Sequence, residues 1–523
     1  MVSLVTWASI AMSRTTINYQ QLPISQIPNE ILSQIFFILR DYYYVRMFGP
    51  HWLGDGATLD WICITHVCHH WREVALDTPL LWSYIVPQPV RWVPELLQRS
   101  KQSPLTIFIH YALNEELKVH LGRARKLVLY IPSQMHTIQQ VFSQPTLPGP
   151  ETLVILTSTS FTLTDSHLHR DGEALRRLSL HGCSVNWNSK LLLSLTLLRL
   201  TYCLCRISCL DFVVVLSKIP TLESLHLCGI RFQQEIVPTH QQPAKVNAHL
   251  QRLQNLSLNG PLLDIALLLS CLIIPRSSQL TIYIAVRIEG ISESFRSILS
   301  WISNQLHVST ISGPSDPDQC IRSLRFIYNP DKFKIGVQGY CDVLSHEQLK
   351  TADHILDLDV WWDDDDDDDD PENNLITFLS SLPLDCVAFL DVFVKMDSIC
   401  LSTNFWSVAF GKIPTLETVY LNAETSNFWP AINPLESDGI TVKDDQRFLA
   451  LDSITVISEF LDFHLVLDNL RVRSTLGGRK LFYLSFLIRP SYTPSLVTLT
   501  LLEEVVSYVE VLEDDADDAS DSS

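Results

Sequence analysis

The first organised stretch of the chain, Leu22 to Val86, carries apolar side chains at helical spacing. Pro28 pre-sets φ for a first helical turn, and Glu30 follows where the helix dipole favours a negative charge. Apolar positions then recur every three to four residues, which places them along one face of a helix: Ile31, Leu32, Ile35, Phe36 and Leu39. The pattern therefore predicts an amphipathic helix that begins at Pro28.

A second segment repeats this spacing with Leu59, Cys63, Val67, Trp71 and Val74. After it, Asp77-Thr78-Pro79 predicts a short turn that carries Leu80, Leu81 and Trp82. We expect two or three short helices over residues 21–86, joined by a loop between Leu39 and Leu59. A unit of roughly 65 residues buries little of its own surface, so part of its apolar face needs a partner.

Three motifs in this stretch match a known family in their order. They are Ile27-Pro-x-Glu-Ile-Leu-x-x-Ile-Phe36, Val67-Cys-x-x-Trp-Arg72 and Pro79-Leu-Leu-Trp82. Together they resemble an F-box, in the F-box-like form frequent in fungal proteins. The resemblance implies that the segment binds the Skp-type adaptor of a cullin-based ubiquitin ligase, and that the remainder of the chain selects the substrate. It also implies adaptor contacts at Pro28, Ile31, Leu32, Ile35, Val67 and Trp71. A helical subdomain without a partner is the alternative.

Beyond residue 87 the phrase L-x-x-L-x-L recurs. The strong copies are Leu175–Cys183, Leu195–Cys203, Leu222–Ile230 and Leu253–Pro261, and the weaker ones are Ala124–Leu129, Ile321–Asn329, Leu416–Leu421 and Leu496–Leu501. Alternation places the last two leucines of a phrase on one strand face, while the first packs beneath them from the incoming turn. The segments between phrases are predicted as helices or turns, and strands joined by crossover helices form a parallel sheet.

These phrases resemble a divergent leucine-rich-repeat array with irregular spacing. The predicted fold class is therefore α/β: a small all-helical F-box-like domain followed, over residues 87–510, by an irregular leucine-rich-repeat-like solenoid with a curved parallel sheet. Residues 1–20 and the acidic tail 511–523 are predicted to be disordered. Two packed α/β domains divided near the Asp363–Asp370 run are the alternative.

The net charge of −20 comes from two segments. Residues 353–372 carry 12 acidic groups and residues 503–523 carry nine, with no Lys or Arg in either, so the rest of the chain is nearly neutral. Adjacent carboxylates repel one another, which predicts that Asp363–Asp370 forms a solvated loop inserted in the repeat domain. A nearly neutral body lacks the basic field that nucleic-acid binding requires, so we expect no nucleic-acid partner.

The twelve cysteines are scattered, and several fall at predicted buried strand positions, which favours a reducing compartment, the cytoplasm or the nucleus. The longest apolar run, Leu262 to Ile274, contains Asp264 and is shorter than a membrane span. We therefore expect no membrane association.

No motif of phosphate binding or nucleophilic catalysis occurs in the sequence. The group Cys63, His66, Cys68, His69 and His70 is a candidate zinc site, but part of it belongs to the F-box pattern and no matching ligands follow elsewhere. We predict a non-enzymatic substrate receptor without cofactor or metal, acting on an unknown protein substrate. Two alternatives are an F-box-like scaffold outside any ligase and an enzyme within residues 270–500, which would need a deep pocket.

Overall fold

The computed structural model describes residues 27–47, 57–86, 90–110, 113–131, 135–144, 149–158, 161–168, 174–203, 207–233, 246–286, 293–306, 320–330, 334–362, 371–395, 401–435, 447–458, 461–475, 480–488 and 494–513. The chain divides into two compact units, Met1–Leu204 and Cys205–Ser523. This division falls inside the predicted 87–510 domain and far from the Asp run. The predicted disordered segment 1–20 and the run Asp363–Asp370 lie outside the described residues.

The first unit begins with α1 (Asn29–Met47), a 3₁₀ helix (Ala57–His66), α2 (His69–Leu76) and a second 3₁₀ helix (Pro79–Trp82). The prediction of a helix starting at Pro28 is confirmed to within one residue. Helix α1 continues to Met47 through residues that we expected in a loop. The second predicted helix is interrupted at Val67 and Cys68, because Cys68 takes the N-cap position of α2, where its Sγ accepts a hydrogen bond from the Trp71 amide at 3.4 Å.

Eight strands follow in the first unit: β1 (Tyr84–Ile85), β2 (Leu105–His110), β3 (Ala124–Tyr130), β4 (Thr152–Leu156), β5 (Thr162–Leu163), β6 (Arg177–His181), β7 (Ser184–Val185) and β8 (Leu197–Thr201). Within the described part of this unit, β1, β2, β3, β4, β6 and β8 pair in that order and every pair is parallel. Strands β5 and β7 form a separate parallel pair. The connecting helices are α3 (Val93–Arg99), α4 (Glu115–His120) and α5 (Met135–Phe142).

The second unit contains a larger sheet. Its strands are β9 (Ser224–Cys228), β10 (Ala248–His249), β11 (Asn255–Pro261), β12 (Leu272–Ile273), β13 (Gln279–Val286), β14 (Ser323–Asn329), β15 (Lys334–Tyr340), β16 (Leu356–Trp362), β17 (Phe389–Val394), β18 (Thr418–Asn422), β19 (Ser453–Ile457), β20 (Leu481–Ile488) and β21 (Val506–Glu513). The sheet runs β9-β11-β13-β16-β15-β14-β17-β18-β19-β20-β21, and β10 pairs with β12. Strand β21 extends to Glu513, three residues into the predicted tail.

The sheet of the second unit differs from the predicted parallel sheet at one strand. Strand β15 is antiparallel to both of its neighbours, β14 and β16. The chain leaves β13, skips two positions to form β14, and returns through β15 to place β16 beside β13. The sheet is therefore mostly parallel, with one up-and-down insertion.

Helices of the second unit connect its strands. They are α6 (Cys209–Ser217), α7 (Leu262–Cys271), α8 (Glu293–Leu306), α9 (His346–Leu349), α10 (Pro371–Ser380), α11 (Thr403–Ala409), α12 (Phe428–Ile432), α13 (Phe463–Thr475) and α14 (Leu496–Val505). The predicted Asp363–Asp370 loop lies between the end of β16 and the start of α10. Across the described parts of both units, no helix combines the length and the apolar character that crossing a bilayer requires.

Seven of the eight predicted L-x-x-L-x-L-like phrases lie on strands, namely β3, β6, β8, β9, β11, β14 and β18. The prediction of a strand at Leu496–Leu501 is wrong, because this phrase begins α14. The Ser495 side chain accepts a hydrogen bond from the Thr498 amide and caps this helix, and Leu496 is 81% exposed. A spacing of three residues between leucines is compatible with a helix as well as a strand entry.

Several strands start with the same hydrogen-bond arrangement. The amides of Thr196 and Leu197 both donate to the carbonyl of Arg176, at 2.7 and 3.1 Å. Equivalent pairs of amides precede or open β6, β11, β17, β18, β19 and β20, and each pair donates to one carbonyl of the neighbouring strand's entry. A buried apolar residue stands immediately before each of these pairs: Leu175, Leu195, Leu253, Val387, Leu416, Leu451 and Leu481. The first leucine of a phrase thus packs beneath the strand, as predicted.

The chain turns through the left-handed region after some of these strands. Gly182 after β6 has φ +70°, and Tyr202 after β8 has φ +50°. The buried residues Cys183 and Cys203 follow them, and burial raises the pKa of the Cys183 thiol to about 12. At Gly182 a Cβ atom would lie 1.9 Å from the Thr157 carbonyl oxygen, so this turn requires glycine for space as well as for φ.

We expect Gly182→Ala to lower the free energy of unfolding by about 2–4 kcal/mol, because it combines an unfavourable positive φ with an overlap against backbone. Chemical denaturation of the purified chain measures this change. Gly149→Ala is the matched control, since its Cβ would lie 3.6 Å from the Ala174 Cβ. Equal stability of the two variants would contradict the close approach at Gly182.

Candidate functional site

Helix α1 presents apolar side chains on two different sides. Leu32 and Phe36 are fully buried, and Leu39 and Tyr43 continue their row with partial burial. The residue that precedes each of these in the sequence is also apolar or aromatic, and together these residues form a second row on the helix. We name this row the exposed stripe: Ile31, Ile35, Ile38 and Tyr42. The intervals of four, three and four residues keep the stripe on one face. Ile31, Ile38 and Tyr42 are exposed, and Ile35 is half-buried.

The buried side of α1 rests on an aromatic cluster. The Phe36 ring lies 5.2 Å from the Trp71 ring, measured between centroids. Trp61 and Trp82 are fully buried with their centroids also 5.2 Å apart, and the Trp82 Nε1 donates to the Ala75 carbonyl at 2.7 Å. Such rings bury large areas and fix the packing geometry. The four helical segments therefore form one packed body.

Arg40 joins this helical body to the sheet of the same unit. Its buried guanidinium donates from Nη1 to the Leu80 carbonyl at 2.8 Å and from Nε and Nη2 to Asp41 Oδ1 at 2.9 and 2.8 Å. Its Cζ lies 4.0 Å from the centroid of the Tyr84 ring in β1. Burial raises the pKa of the Tyr84 hydroxyl, while the Arg40 charge opposes the rise. The exposed stripe is thus held in a fixed direction relative to the first strands.

The six predicted adaptor contacts occupy different environments. Pro28 is exposed directly before α1, Ile31 is 46% exposed, and Val67 is 56% exposed at the turn before α2. Ile35 and Trp71 are half-buried. Leu32 is fully buried within the helical body, so its side chain supports the fold and does not present a surface in this conformation.

Two residues of the exposed stripe, Ile38 and Tyr42, were not predicted from the sequence. Both continue the spacing that begins at Ile31, but the predicted helix ended at Leu39. The aromatic run after Arg40 was expected in a loop, and its continuation of the helical spacing was the available signal.

The Cys and His group of the sequence analysis is dispersed. Cys63 is exposed on the first 3₁₀ helix, where partial burial and then the Asp60 charge raise the pKa of its thiol. Cys68 caps α2, and the His69 Nδ1 lies 3.4 Å from a Glu73 carboxylate oxygen. Among the residues that the structure describes, no three His, Cys, Asp or Glu side chains are grouped so as to hold a metal ion.

A pocket lies within residues 270–500, the region where an enzyme remained an alternative. It is lined by Glu424, Thr425, Ser426, Trp429, Leu461, Asp462 and Leu465. Its two carboxylates serve local turns: Glu424 accepts from the Ser426 amide at 3.0 Å, and Asp462 accepts from the His464 amide at 2.9 Å. The Trp429 Nε1 donates to the Thr425 hydroxyl within the pocket wall.

The helical body and β1 coincide with a known domain. Residues 24–88 match the F-box-like family model. The F-box-like domain marks this part of the chain as a protein-interaction adaptor, of a kind typical of Skp-cullin-F-box complexes. No curated protein is significantly similar to the chain. The exposed stripe and all six predicted contacts lie within the matched residues.

In the F-box-like domain, we expect adjacent substitutions on the two sides of α1 to lower the free energy of unfolding by different amounts. Leu32→Ala removes a fully buried side chain and should lower the free energy of unfolding by about 2–5 kcal/mol. Ile31→Ala removes a half-exposed side chain and should cost about 1 kcal/mol or less. Urea denaturation of the two single variants measures both values. Similar losses for both would mean that the two rows are not distinct.

Proposed function

We propose that the chain is a substrate-receptor subunit of a Skp-cullin-F-box ubiquitin ligase. In this role the F-box-like domain binds the Skp-type adaptor, and through it a cullin, while the remaining sheet-forming region binds a target protein. The exposed stripe on α1 is the observation that carries the proposal, because it leaves an apolar face of a well-packed domain in contact with solvent.

The apolar character of the exposed stripe suits a protein partner. Fully burying an Ile, Leu or Val side chain is worth on the order of 1.5–3 kcal/mol, so a handful of such anchors provides enough free energy to outweigh part of the cost of association. The stripe also includes an aromatic residue, Tyr42, of a type enriched at interfaces. Among the six contacts implied by the resemblance, Ile31 and Val67 are the exposed large apolar side chains.

We further propose that the sheet-forming region is a divergent leucine-rich-repeat-like solenoid, of the type that accompanies F-box-like domains in fungal proteins. Its support is the repeated combination of a buried apolar residue, a pair of amides on one carbonyl and a strand with two inward apolar residues. This combination stacks consecutive strands in register and leaves the intervening side chains on the opposite face of each sheet.

The proposed mechanism requires no catalytic residue, cofactor or metal in this chain. A receptor raises the effective concentration of a target lysine near a ubiquitin-charged enzyme. The Arg40 contacts support this role, since they hold the adaptor-binding helix rigidly against the first strands of its unit. We expect the protein to act in the cytoplasm or nucleus on a protein substrate, without nucleic-acid or membrane partners.

The adaptor contact is tested with Ile31→Ala/Val67→Ala in the full-length chain. We expect adaptor affinity to fall about tenfold or more, because about 1.4 kcal/mol corresponds to a factor of ten and both side chains lose apolar contact area. Biolayer interferometry against a purified Skp-type adaptor measures the change. Leu32 is left intact, so that folding and binding are not confounded.

The control is Val119→Ala/Leu193→Ala, which truncates two exposed apolar residues outside the F-box-like domain. Its adaptor affinity should equal that of the unmodified chain. Unchanged affinity of the Ile31/Val67 variant would refute the adaptor assignment. Co-purification of a cullin with the unmodified chain supports the receptor role, whereas adaptor binding without a cullin indicates a scaffold outside the ligase.

A further inference from the structure

The open face of the first unit's sheet, opposite the buried leucines, carries three cations that we name the basic patch. Lys126 lies on β3, Arg177 on β6 and Arg199 on β8, each at a position that alternates with buried leucines. Strand register aligns Lys126 with Thr152 and Thr152 with Arg177, so the first two stand in one row across the sheet. The three cations therefore share one face.

The cations of the basic patch have two carboxylates nearby, Asp41 and Glu151, but form no ion pair with them. Arg177 and Arg199 are exposed and Lys126 is half-buried, and none of them forms an ion pair with another described residue. The hydrogen bond from Arg125 lowers the pKa of the nearby Glu151 carboxyl, and the charge of Arg177 contributes to the same shift. Burial and then the charge of Arg177 lower the pKa of the Lys126 ammonium, while the charge of Asp41 opposes this shift.

The corresponding face of the second unit is different. There the buried Asp391 carboxylate lies 3.4 Å from Arg325 and 3.2 Å from His346, and Asp359 lies 2.7 Å from Lys334. Asp391 and Asp359 are thus each paired with a cation on a neighbouring strand. Between residues 87 and 204 the sequence has 12 Lys or Arg against seven Asp or Glu, in a chain whose net charge is −20. Residues 87–204 thus carry a positive surplus of five charges.

The spacing of the basic patch decides which anion it fits. Neighbouring strands lie about 4.8 Å apart, so the backbones of Lys126 and Arg177, two strands apart, are separated by about 10 Å. Arg199 lies on the next strand, two residues after Leu197, the residue that pairs with Arg177. The backbones of Arg177 and Arg199 are therefore about 8 Å apart. Cations at this spacing meet separate carboxylates along an extended chain. A single phosphate group is best held by donors that converge on it.

We propose that the basic patch binds an acidic, Asp- and Glu-rich extended segment of the target protein. This inference rests on the proposed receptor function, because it assigns the substrate class to the sheet-forming region. The acidic segment lies across strands β3 to β8 and places a carboxylate against each cation. Its affinity falls as ionic strength rises, since exposed ion pairs are screened by salt.

The test uses full-length protein and a fluorescein-labelled 12-residue peptide, (Asp-Glu-Ser)4, in fluorescence anisotropy at low salt. We expect the unmodified chain to bind this peptide, and Lys126→Gln/Arg177→Gln/Arg199→Gln to bind it about tenfold or more weakly. If thermal unfolding shows that the triple variant is not folded, Arg177→Gln/Arg199→Gln replaces it, because this variant changes exposed side chains only. Its peptide affinity is expected to fall about threefold or more.

The charge-matched control is Arg91→Gln/Lys190→Gln/Lys218→Gln, which removes three cations located outside the strands and should leave peptide binding unchanged. An equal loss in this control, or no peptide binding by the unmodified chain, overturns the proposal. The proposal is also overturned if a phosphoserine peptide of equal charge, or a single-stranded RNA, binds at least tenfold more tightly than the acidic peptide. Adaptor affinity is measured on the same samples: it should be unaffected by the patch variants, so failure of this inference is distinguishable from failure of the receptor proposal.

Discussion

The hydrogen bonds at strand entries are the constraint on which the sheets depend. One carbonyl receives two successive amides, as the Arg176 carbonyl does from Thr196 and Leu197, and this fixes the register before the strand itself begins. The buried apolar residue just before this pair of amides, such as Leu195, then packs beneath the strand. Register, burial and direction are determined together, because a slip by one residue would turn every leucine to the open face.

A second constraint joins the F-box-like domain to the sheet. Removing a guanidinium from water is costly unless its donors are satisfied, and Arg40 meets this condition with the Leu80 carbonyl, the Asp41 carboxylate and the Tyr84 ring. Trp82 supports the same junction from the other side, with its ring 4.2 Å from the Arg99 guanidinium of α3. The direction of the exposed stripe therefore follows from packing that also anchors the first strand.

The sequence predicts the strands best where leucine occupies all three positions of a phrase. It misses β17, β19 and β20, which have the same arrangement with valine, isoleucine or phenylalanine, as in Val387, Leu390 and Val392. Leu496 is misassigned because capping by Ser495 outweighs the leucine pattern. In the F-box-like domain, local periodicity predicted the start of α1. The resemblance implied an adaptor contact at Leu32, whose side chain is buried next to the exposed row that begins at Ile31. The antiparallel β15 depends on pairing between distant segments, which no local pattern encodes.

Charge distribution shows why a whole-chain property is a poor guide to a surface. The net charge of −20 averages over a sheet face of the first unit whose three cations form no ion pair with a described residue, and over a face of the second unit where Asp391 and Asp359 are ion-paired. The two surfaces assigned to the first unit also differ in physical character. Apolar contact at the exposed stripe is insensitive to moderate salt, whereas attraction at the basic patch weakens as the screening length shortens. Raising the ionic strength should therefore separate the two proposed binding activities without any substitution, because it weakens the proposed target binding and leaves the proposed adaptor binding nearly unchanged.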